Sequence, residues 1–79
     1  MTGFVYVLSS RMSLRSYVGC TTDMEERLRL HNAGQVSATR GARPWVIIYQ
    51  EALPTFADAR RRERYFKSGA GRRQLAKLF

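Results

Sequence analysis

The sequence predicts a small α/β (α+β) fold in which helices pack against a three-stranded sheet, antiparallel or mixed. Runs of mainly β-branched and aromatic residues at 4–8 and 45–49, and a resumed strand pattern at 16–20, indicate the strands. Two stretches that begin with a capping residue and continue with helical spacing, at 23–32 and 55–68, indicate helices. With a short terminal helix, the predicted order is strand, strand, helix, strand, helix, helix.

The first two strands are predicted to form an antiparallel hairpin. Residues 4–8 contain no polar break, which is typical of a strand covered on both faces. Residues 9–15 are polar and favour a moderately long loop, and residues 16–20 resume the strand pattern. Each strand carries a central tyrosine, Tyr6 in the first and Tyr17 in the second.

The first helix is predicted to begin after Thr22 or Asp23. Glu25 or Glu26 follows three residues later, which is the capping-box spacing that satisfies two backbone amides reciprocally. The helix is expected to end near Asn32. Both ends therefore have a local chemical signal.

One face of this helix is predicted to be buried. Met24 and Leu28 are one turn apart and define the apolar stripe, and Arg27 and His31 flank it at helical spacing. Gly34 suits the left-handed position that closes the helix. Two polar side chains are thus expected to border the core.

The chain from 35 to 43 is predicted to be a basic loop that ends at Pro44. It contains Gly41 and two arginines, Arg40 and Arg43, and lacks periodicity. The following strand, 45–49, has apolar residues on both faces, which predicts a sheet covered by helices on both sides.

The second helix has Thr55 and Asp58 as its capping pair and is expected to reach about Ser68. The sequence Gly-Ala-Gly at 69–71 is predicted to break the helix, and 72–79 to form a short terminal helix. The apolar residues of that terminal helix available for docking are Leu75, Leu78 and Phe79.

Composition limits the protein to one compact domain and favours a polyanionic partner. Seventy-nine residues with 44% hydrophobic content predict one domain, spanning 1–79. Fourteen Lys and Arg against six Asp and Glu give a net charge of +8, which favours nucleic acid. An anionic membrane surface is the second candidate, but no basic helix with a wide apolar face supports it.

Several classes of site and location are excluded or disfavoured by simple counts. A lone cysteine, Cys20, and a lone histidine, His31, rule out an intrachain disulfide framework and a typical Cys/His zinc site. The apolar run at 4–8 is too short for a spanning helix and lacks the flanks of a signal peptide. We therefore expect a reducing, cytoplasmic setting. No Gly-x-Ser-x-Gly elbow accompanies the histidine, so acyl-transfer chemistry is disfavoured.

The six carboxylates can be assigned individually. Four lie in the first turn of a helix, where carboxylates cap amides and complement the helix dipole. These four are Asp23, Glu25, Glu26 and Asp58. Only Glu51, at the end of the third strand, and Glu63 remain as candidates for binding a cation or moving a proton.

Glu63 is predicted to share the apolar side of the second helix. The residues that define this side, at i, i+3 and i+10 around Glu63 at i+7, are Phe56, Ala59 and Phe66. An inward carboxylate must be paired or bound to a metal. An ion pair with Arg27 or Arg60 and a metal site both remain open. One carboxylate supports at most one Mg²⁺, completed by waters and phosphate oxygens, because two-metal sites need several acids.

The exposed basic residues predict a surface that tracks phosphates, with Trp45 or Tyr65 as stacking partners. They are Arg40, Arg43, Arg61, Arg62, Arg64, Lys67, Arg72 and Arg73. The arginines at 61, 62 and 64 are expected on the solvated sides of the second helix. The alternative is a solubilising face without a partner, and phosphate contacts would carry no sequence information in either case.

Five short motifs in order carry a resemblance to a known family. The two tripeptides Val5-Tyr6-Val7 and Tyr17-Val18-Gly19 are followed by 19–28 with Arg27, and by His31-Asn32-Ala33-Gly34. Thr39-Arg40 and Arg43-Pro44-Trp45 precede the third strand, and 59–67 carries Glu63. The chain thereby resembles the GIY-YIG nuclease superfamily, in particular its small bacterial stand-alone members. It departs from the pattern at three positions: Val5 replaces the first glycine, and Val7 and Val18 replace isoleucines.

The resemblance implies phosphodiester hydrolysis assisted by one divalent ion, Mg²⁺ or Mn²⁺. Tyr6 would be the general base or would position the water, with Tyr17 in the same hydrogen-bond network. Arg27 would neutralise charge on the phosphoryl oxygens, and His31 would support Tyr6 or the water. Glu63 would hold the metal. A tyrosine of ordinary pKa is a poor base, so cations beside Tyr6 would be needed; from spacing alone, both tyrosines also fit core positions.

Three functions remain open from the sequence. The first is an endonuclease acting on DNA, more than on RNA, with branched or damaged DNA as candidate substrates. The second is a nucleic-acid-binding module without useful catalysis, and the third is a basic structural protein of a ribonucleoprotein particle. A domain of this size has little surface with which to read sequence, so we expect low specificity or a protein partner that delivers the substrate.

Overall fold

The computed structural model describes residues 1–78 and confirms the predicted order of elements. The strands are β1 (Gly3–Ser10), β2 (Ser16–Thr21) and β3 (Trp45–Leu53), and the helices are α1 (Met24–Asn32), α2 (Phe56–Lys67) and α3 (Gly69–Leu78). A single 3₁₀ turn, Arg40–Ala42, interrupts the predicted basic loop. Phe79, predicted to dock with the terminal helix, lies outside the described residues.

The sheet has the order β2-β1-β3 with both pairings antiparallel, which decides between the antiparallel and mixed alternatives. The central strand β1 is covered on both faces, as predicted. Val5 and Val7 pack with Phe66 of α2 and Leu75 of α3. On the opposite face, the buried residues are Tyr6, Leu8, Ala42 and Trp45, with Met24 and Leu28 of α1 packed against them.

A β-bulge in β3 distributes its side chains between these two faces. Val7 pairs with Tyr49 but the next residue, Leu8, pairs with Ile47, so Ile48 is an extra residue. Because strand side chains alternate, one extra residue moves the following odd-numbered positions to the other face. Ile47 therefore packs on the Tyr6 side and Tyr49 on the Val7 side.

The prediction that the third strand is covered on both faces is wrong for part of its length. Val46 and Ile48 are 37% and 38% exposed, because β3 is an edge strand and the helices do not extend over it there. The strand also runs to Leu53 rather than ending near residue 49, so Glu51 lies inside it.

The starts of α1 and α2 follow their predicted caps. The carboxylate of Asp23, rather than the Thr22 hydroxyl, accepts from the backbone of Glu26 at 3.1 Å. The Thr55 hydroxyl accepts from the backbone of Asp58 at the same distance. Each bond satisfies one amide that the helix leaves unpaired.

The predicted break at 69–71 is wrong, because α3 begins at Gly69 and only Ser68 separates it from α2. Gly71 is buried, and a Cβ there would lie 2.5 Å from the Cα of Phe66 and closer still to the carbonyl oxygen of Tyr65. This glycine lets the backbones of α2 and α3 approach each other rather than ending a helix.

Candidate active site

A buried chain of hydrogen bonds begins at Tyr6, on the central strand. Its hydroxyl lies 2.8 Å from Nε2 of His31, and neither residue is exposed to solvent. Nδ1 of His31 lies 2.8 Å from the Thr39 hydroxyl, which itself donates to the Val36 carbonyl at 3.3 Å. The network is satisfied when the Thr39 hydrogen is on that carbonyl and the imidazole hydrogen is on Nδ1, and we assign this tautomer. Nε2 is then the acceptor for the Tyr6 hydroxyl.

Arg27 approaches Tyr6 from α1, and its Nε donates to the phenolic oxygen at 3.3 Å. Burial raises the pKa of Tyr6 to about 12, although the hydrogen bond and charge of Arg27 act in the opposite direction. Burial and the charge of Arg27 lower the pKa of His31 to about 4. At neutral pH, in the absence of substrate, Tyr6 is therefore a neutral phenol and His31 a neutral imidazole. The charge of Arg27 alone does not convert Tyr6 to its phenolate.

Tyr17 completes an aromatic cluster around the histidine. Its ring centroid lies 5.0 Å from that of His31 and 6.4 Å from that of Tyr6. Nζ of Lys67, at the end of α2, lies 5.7 Å from the centroid of the Tyr17 ring. The structure thus brings together four predicted residues: Tyr6, Tyr17, Arg27 and His31.

Gly19 makes room for the Tyr6 hydroxyl, a role that is not predicted from its place in the Tyr-Val-Gly motif. Gly19 pairs with Tyr6 across the hairpin. A Cβ at this position would lie 2.6 Å from Cζ of Tyr6 and closer still to its oxygen. The register of the two predicted strands was the signal that would have identified it. The link from His31 to Thr39 was also missed, because the loop carries no periodicity that positions Thr39.

Glu63 reaches β2 from the other side of the sheet. Its Oε1 accepts from Sγ of Cys20 at 2.9 Å, and its Oε2 lies 2.7 Å from Nζ of Lys67. Of the alternatives left open for Glu63, the ion pair is formed by neither Arg27 nor Arg60, because Lys67 one turn later on α2 takes that place. Burial acts to raise the pKa of Glu63, but the hydrogen bonds from Cys20 and Lys67 together hold it below its usual value.

The two groups of polar residues meet along β2, an edge strand. Gly19 pairs with Tyr6 and Cys20 pairs with Val5, so their positions belong to opposite faces of the sheet. Lys67 connects the two faces, because it contacts both Glu63 and the ring of Tyr17. The candidate site is therefore formed around a sheet edge rather than on one face.

Glu63 fits a hard divalent cation only as a single ligand. No group of three or more His, Cys, Asp or Glu residues is close enough to hold a metal ion within residues 1–78. The Glu63 side chain is ionised and 20% exposed, and its partner Lys67 is 47% exposed and can rotate away. Magnesium retains several waters and needs only one or two carboxylates besides phosphate oxygens, so this donor set is compatible with it.

Glu51, the other candidate carboxylate, is occupied by an ion pair. Nε and Nη2 of Arg62 donate to it at 2.9 and 3.1 Å, and the Tyr49 hydroxyl donates to it as well. Arg62 is only 32% exposed and covers the ring of Tyr65 at 4.9 Å. The prediction that Arg62 lies on a solvated side of the helix is therefore wrong.

The rest of the predicted phosphate-binding surface is exposed. Its exposed members are Arg40, Arg43, Arg61, Arg64, Lys67, Arg72 and Arg73. Arg61 pairs with Asp58, one turn earlier on the helix. Trp45, a predicted stacking partner, is 2% exposed and donates its indole hydrogen to the Thr39 carbonyl, so it belongs to the core.

In the part of the chain that the structure describes, no helix has the length and apolar character needed to cross a bilayer.

Comparison with known proteins identifies relatives over most of the chain. A UPF0213 protein of Staphylococcus haemolyticus is 34% identical over 73 residues, which are 91% of this chain and 88% of the relative. A UPF0213 protein of Haloquadratum walsbyi is 42% identical over 67 residues, which are 82% of this chain and 73% of the relative. The solution NMR structure of a UPF0213 protein from Bacillus halodurans matches 99% of this chain and 85% of its own, with a TM-score of 0.58 and 32% identity.

The family model that matches is the GIY-YIG catalytic domain, over residues 2–75, which confirms the resemblance found in the sequence. The matched span includes the four residues of the hydrogen-bonded chain, which are Arg27, Tyr6, His31 and Thr39, and it also includes Glu63. This family is one of nucleases, which generally use divalent metal ions and act on nucleic acid. The protein thus belongs to the GIY-YIG family.

Proposed function

We propose that this protein is an endonuclease, a single domain over residues 1–79, that hydrolyses phosphodiester bonds of DNA with one divalent metal ion. The observation that carries the proposal is the buried chain from Arg27 through Tyr6 and His31 to Thr39. A hydroxyl held between a cation and a neutral imidazole is arranged to pass a proton inward while it accepts one from outside.

In the free protein the Tyr6 oxygen is closed to solvent, so the proposed reaction requires Arg27 to turn toward the substrate phosphate and admit the attacking water. That water gives its proton to the oxygen of Tyr6 as Tyr6 gives its own to Nε2 of His31. The hydrogen bond to Thr39 keeps the proton of the neutral imidazole on Nδ1, so Nε2 is free to receive another. Burial and, secondly, the charge of Arg27 lower the pKa of His31. A substrate phosphate beside Arg27 would offset that charge and make His31 a better acceptor when substrate is present.

Arg27 and Glu63 would act on the phosphoryl group and its leaving oxygen. The guanidinium of Arg27 has donors beyond the Nε used on Tyr6, and these can stabilise charge on the phosphoryl oxygens. The ionised Glu63 would hold the divalent ion after Lys67 moves from the carboxylate to a phosphate. A bound divalent ion would supply charge stabilisation at the departing 3′ oxygen. Tyr17 would keep the ring of His31 in position.

We propose DNA rather than RNA as the substrate, in the cytoplasm, with low sequence specificity. The support is a net charge of +8 and the exposure of the basic residues that would contact phosphates. These are Arg40, Arg43, Arg61, Arg64, Lys67, Arg72 and Arg73. Such contacts fix position and not sequence, so a preference for branched or damaged DNA, or a protein partner, would direct the cut.

The test compares cleavage of branched, nicked and single-stranded DNA, with Mg²⁺ or Mn²⁺, by the wild type and by Glu63→Gln and Arg27→Ala. We expect cutting that requires the metal and falls at least about 100-fold in both variants. The control is Glu51→Gln, which removes the same charge from a residue paired with Arg62 and should keep the activity. Full activity in Glu63→Gln would disprove the metal site. Binding that falls steeply with salt, without any cutting, would instead support the binding module.

A further inference from the structure

The connection between β1 and β2 displays two apolar side chains to solvent. We call residues 11–15, Arg-Met-Ser-Leu-Arg, the hairpin tip, and every one of them is exposed. The side chains of Met12 and Leu14 are among the most exposed large apolar groups described, with exposures of 72% and 107%. Neither contributes to the two buried clusters of the protein.

Hydrogen bonds hold the hairpin tip in a defined conformation, and Leu14 is exposed in that conformation. The hydroxyl of Ser10 accepts from the backbone of Met12 at 3.0 Å and of Ser13 at 3.1 Å, and donates to the Ala42 carbonyl at 2.6 Å. Nη2 of Arg15 donates to the Ala38 carbonyl at 3.0 Å. A preorganised loop loses little conformational freedom when it binds.

The charge around the tip specifies the chemistry of its partner. Arg11 and Arg15 flank the two apolar residues, and the first carboxylate in the chain is Asp23, so residues 1–22 contain no acidic side chain. A complementary partner is anionic outside and apolar inside. Duplex nucleic acid has this structure, with phosphates on its surface and stacked bases between them, and apolar side chains such as Leu and Met are used to separate base steps.

We propose that Leu14, assisted by Met12, inserts between base pairs of the DNA while Arg11 and Arg15 hold the adjacent phosphates. This rests on the proposed function for its choice of DNA as the partner and for the position of the bond that is cut. Leu14 precedes Tyr17 by three residues, which span at most about 11 Å of chain. Successive nucleotides of one strand are about 3.4 Å apart, so this span corresponds to about three base pairs and places the opened step near the bond that is cut.

Leu14 and Met12, which we call the wedge, also explain which DNA would be selected. Separating base pairs costs less at mismatches, nicks, junctions and flexible pyrimidine–purine steps than within a regular duplex. A protein that must open a step near the scissile bond therefore prefers weakly stacked sites without reading their sequence. This converts the expected preference for branched or damaged DNA into a property of one loop.

The experiment measures the fluorescence of 2-aminopurine placed beside a mismatch in duplex DNA, with EDTA present so that no cutting occurs. Wild-type protein should raise the fluorescence, and Leu14→Ser should lose most of the rise and bind this duplex about tenfold more weakly. Leu14→Phe should retain both properties. The matched control is Leu78→Ser, the same substitution at a residue of α3 that is 51% exposed, and it should behave as the wild type.

The outcomes separate this inference from the nuclease proposal. If the wild type cuts DNA but Leu14→Ser changes neither fluorescence nor affinity, the wedge is disproved and the nuclease stands. If the fluorescence rise depends on Leu14 but no DNA is cut with any metal, the wedge stands and the nuclease fails. If Leu14→Ser alters self-association or vesicle binding and leaves DNA binding unchanged, the tip serves another partner and the wedge is wrong.

Discussion

The Tyr6 hydroxyl is hydrogen-bonded to Nε2 of His31 at 2.8 Å, and neither side chain is accessible to solvent. Removing one partner of a buried hydrogen bond lowers the stability of the protein, because water cannot replace the lost partner. It also joins the central strand to the first helix, so a change at either end is expected to affect both stability and reaction.

Tyr6→Phe removes the hydroxyl and keeps the ring. We expect cleavage to fall about 100- to 10,000-fold, the usual range for losing a positioned acid–base group. Stability should fall by about 1–3 kcal/mol, because Nε2 of His31 loses its partner. The measurements are single-turnover cleavage and urea unfolding. Tyr49→Phe is the control: it removes a hydroxyl bonded to Glu51 on the opposite face and should retain activity. Comparable activity losses in both variants would refute a special role for Tyr6.

The low pKa of His31 predicts that the protein loses stability in mild acid. Its folded pKa of about 4 lies below the unfolded value, so the unfolded state binds more protons between these values. The contribution of neutral His31 to the free energy of unfolding is therefore fully present above pH 6.5 and is lost as the pH falls toward 4. By pH 5 the expected loss is about 2 kcal/mol, measured by urea unfolding. The free energy of unfolding of His31→Gln should be nearly independent of pH between 7 and 5. If it falls with pH as steeply as that of the wild type, another group causes the loss.

Gly19→Ala should damage both the site and the fold. The new Cβ would overlap the Tyr6 phenol, which must move away from His31 and Arg27. We expect an activity loss of at least about tenfold and a stability loss of about 1–3 kcal/mol, as for other overpacked positions. The matched control is Gly41→Ala, where a Cβ would meet no atom within 4 Å. Equal effects of the two substitutions on cleavage would argue against the steric explanation.

Gly71→Ala should separate α3 from α2. A Cβ there would overlap the backbone of α2 at Tyr65 and Phe66, and backbone atoms cannot rotate aside. We expect a stability loss of at least about 3 kcal/mol, measured by thermal or urea unfolding. Gly69→Ala, two residues earlier in the same helix, should be neutral or stabilising, because its nearest neighbour would be the flexible Arg73 side chain at 3.6 Å. A stable Gly71→Ala variant would show that the helices do not need this close approach.

The salt dependence of DNA binding should identify residues that contact phosphates. Arg64 is exposed and has no ion pair with the carboxylates of residues 1–78, whereas Arg29 is paired with Glu26. Arg64→Ala should reduce the slope of log K against log salt by about 0.9, the release of one counterion. Arg29→Ala should leave the slope unchanged. The measurement is fluorescence anisotropy over a salt series, and identical slopes for the wild type and Arg64→Ala would exclude Arg64 from the interface.

Local chemistry was enough to predict the elements of the fold. The strands follow from runs of β-branched residues, and the helix starts follow from Asp23 and Thr55, because these signals act within a few residues of chain. The prediction failed at 69–71, where two glycines were interpreted as a break. Glycine serves both turns and close packing of helices, and only the position of α2 determines which of the two applies.

For the candidate site, the sequence alone narrowed the carboxylates to Glu51 and Glu63 and, through its motifs, selected Tyr6, Tyr17, Arg27 and His31. The tertiary structure decided their partners: Arg62 for Glu51, and Lys67 and Cys20 for Glu63. It also showed that the site surrounds an edge strand and that Thr39 fixes the imidazole. Composition, spacing and capping are properties of neighbouring residues, whereas ion pairs, burial and pKa shifts depend on atoms brought together from distant parts of the chain.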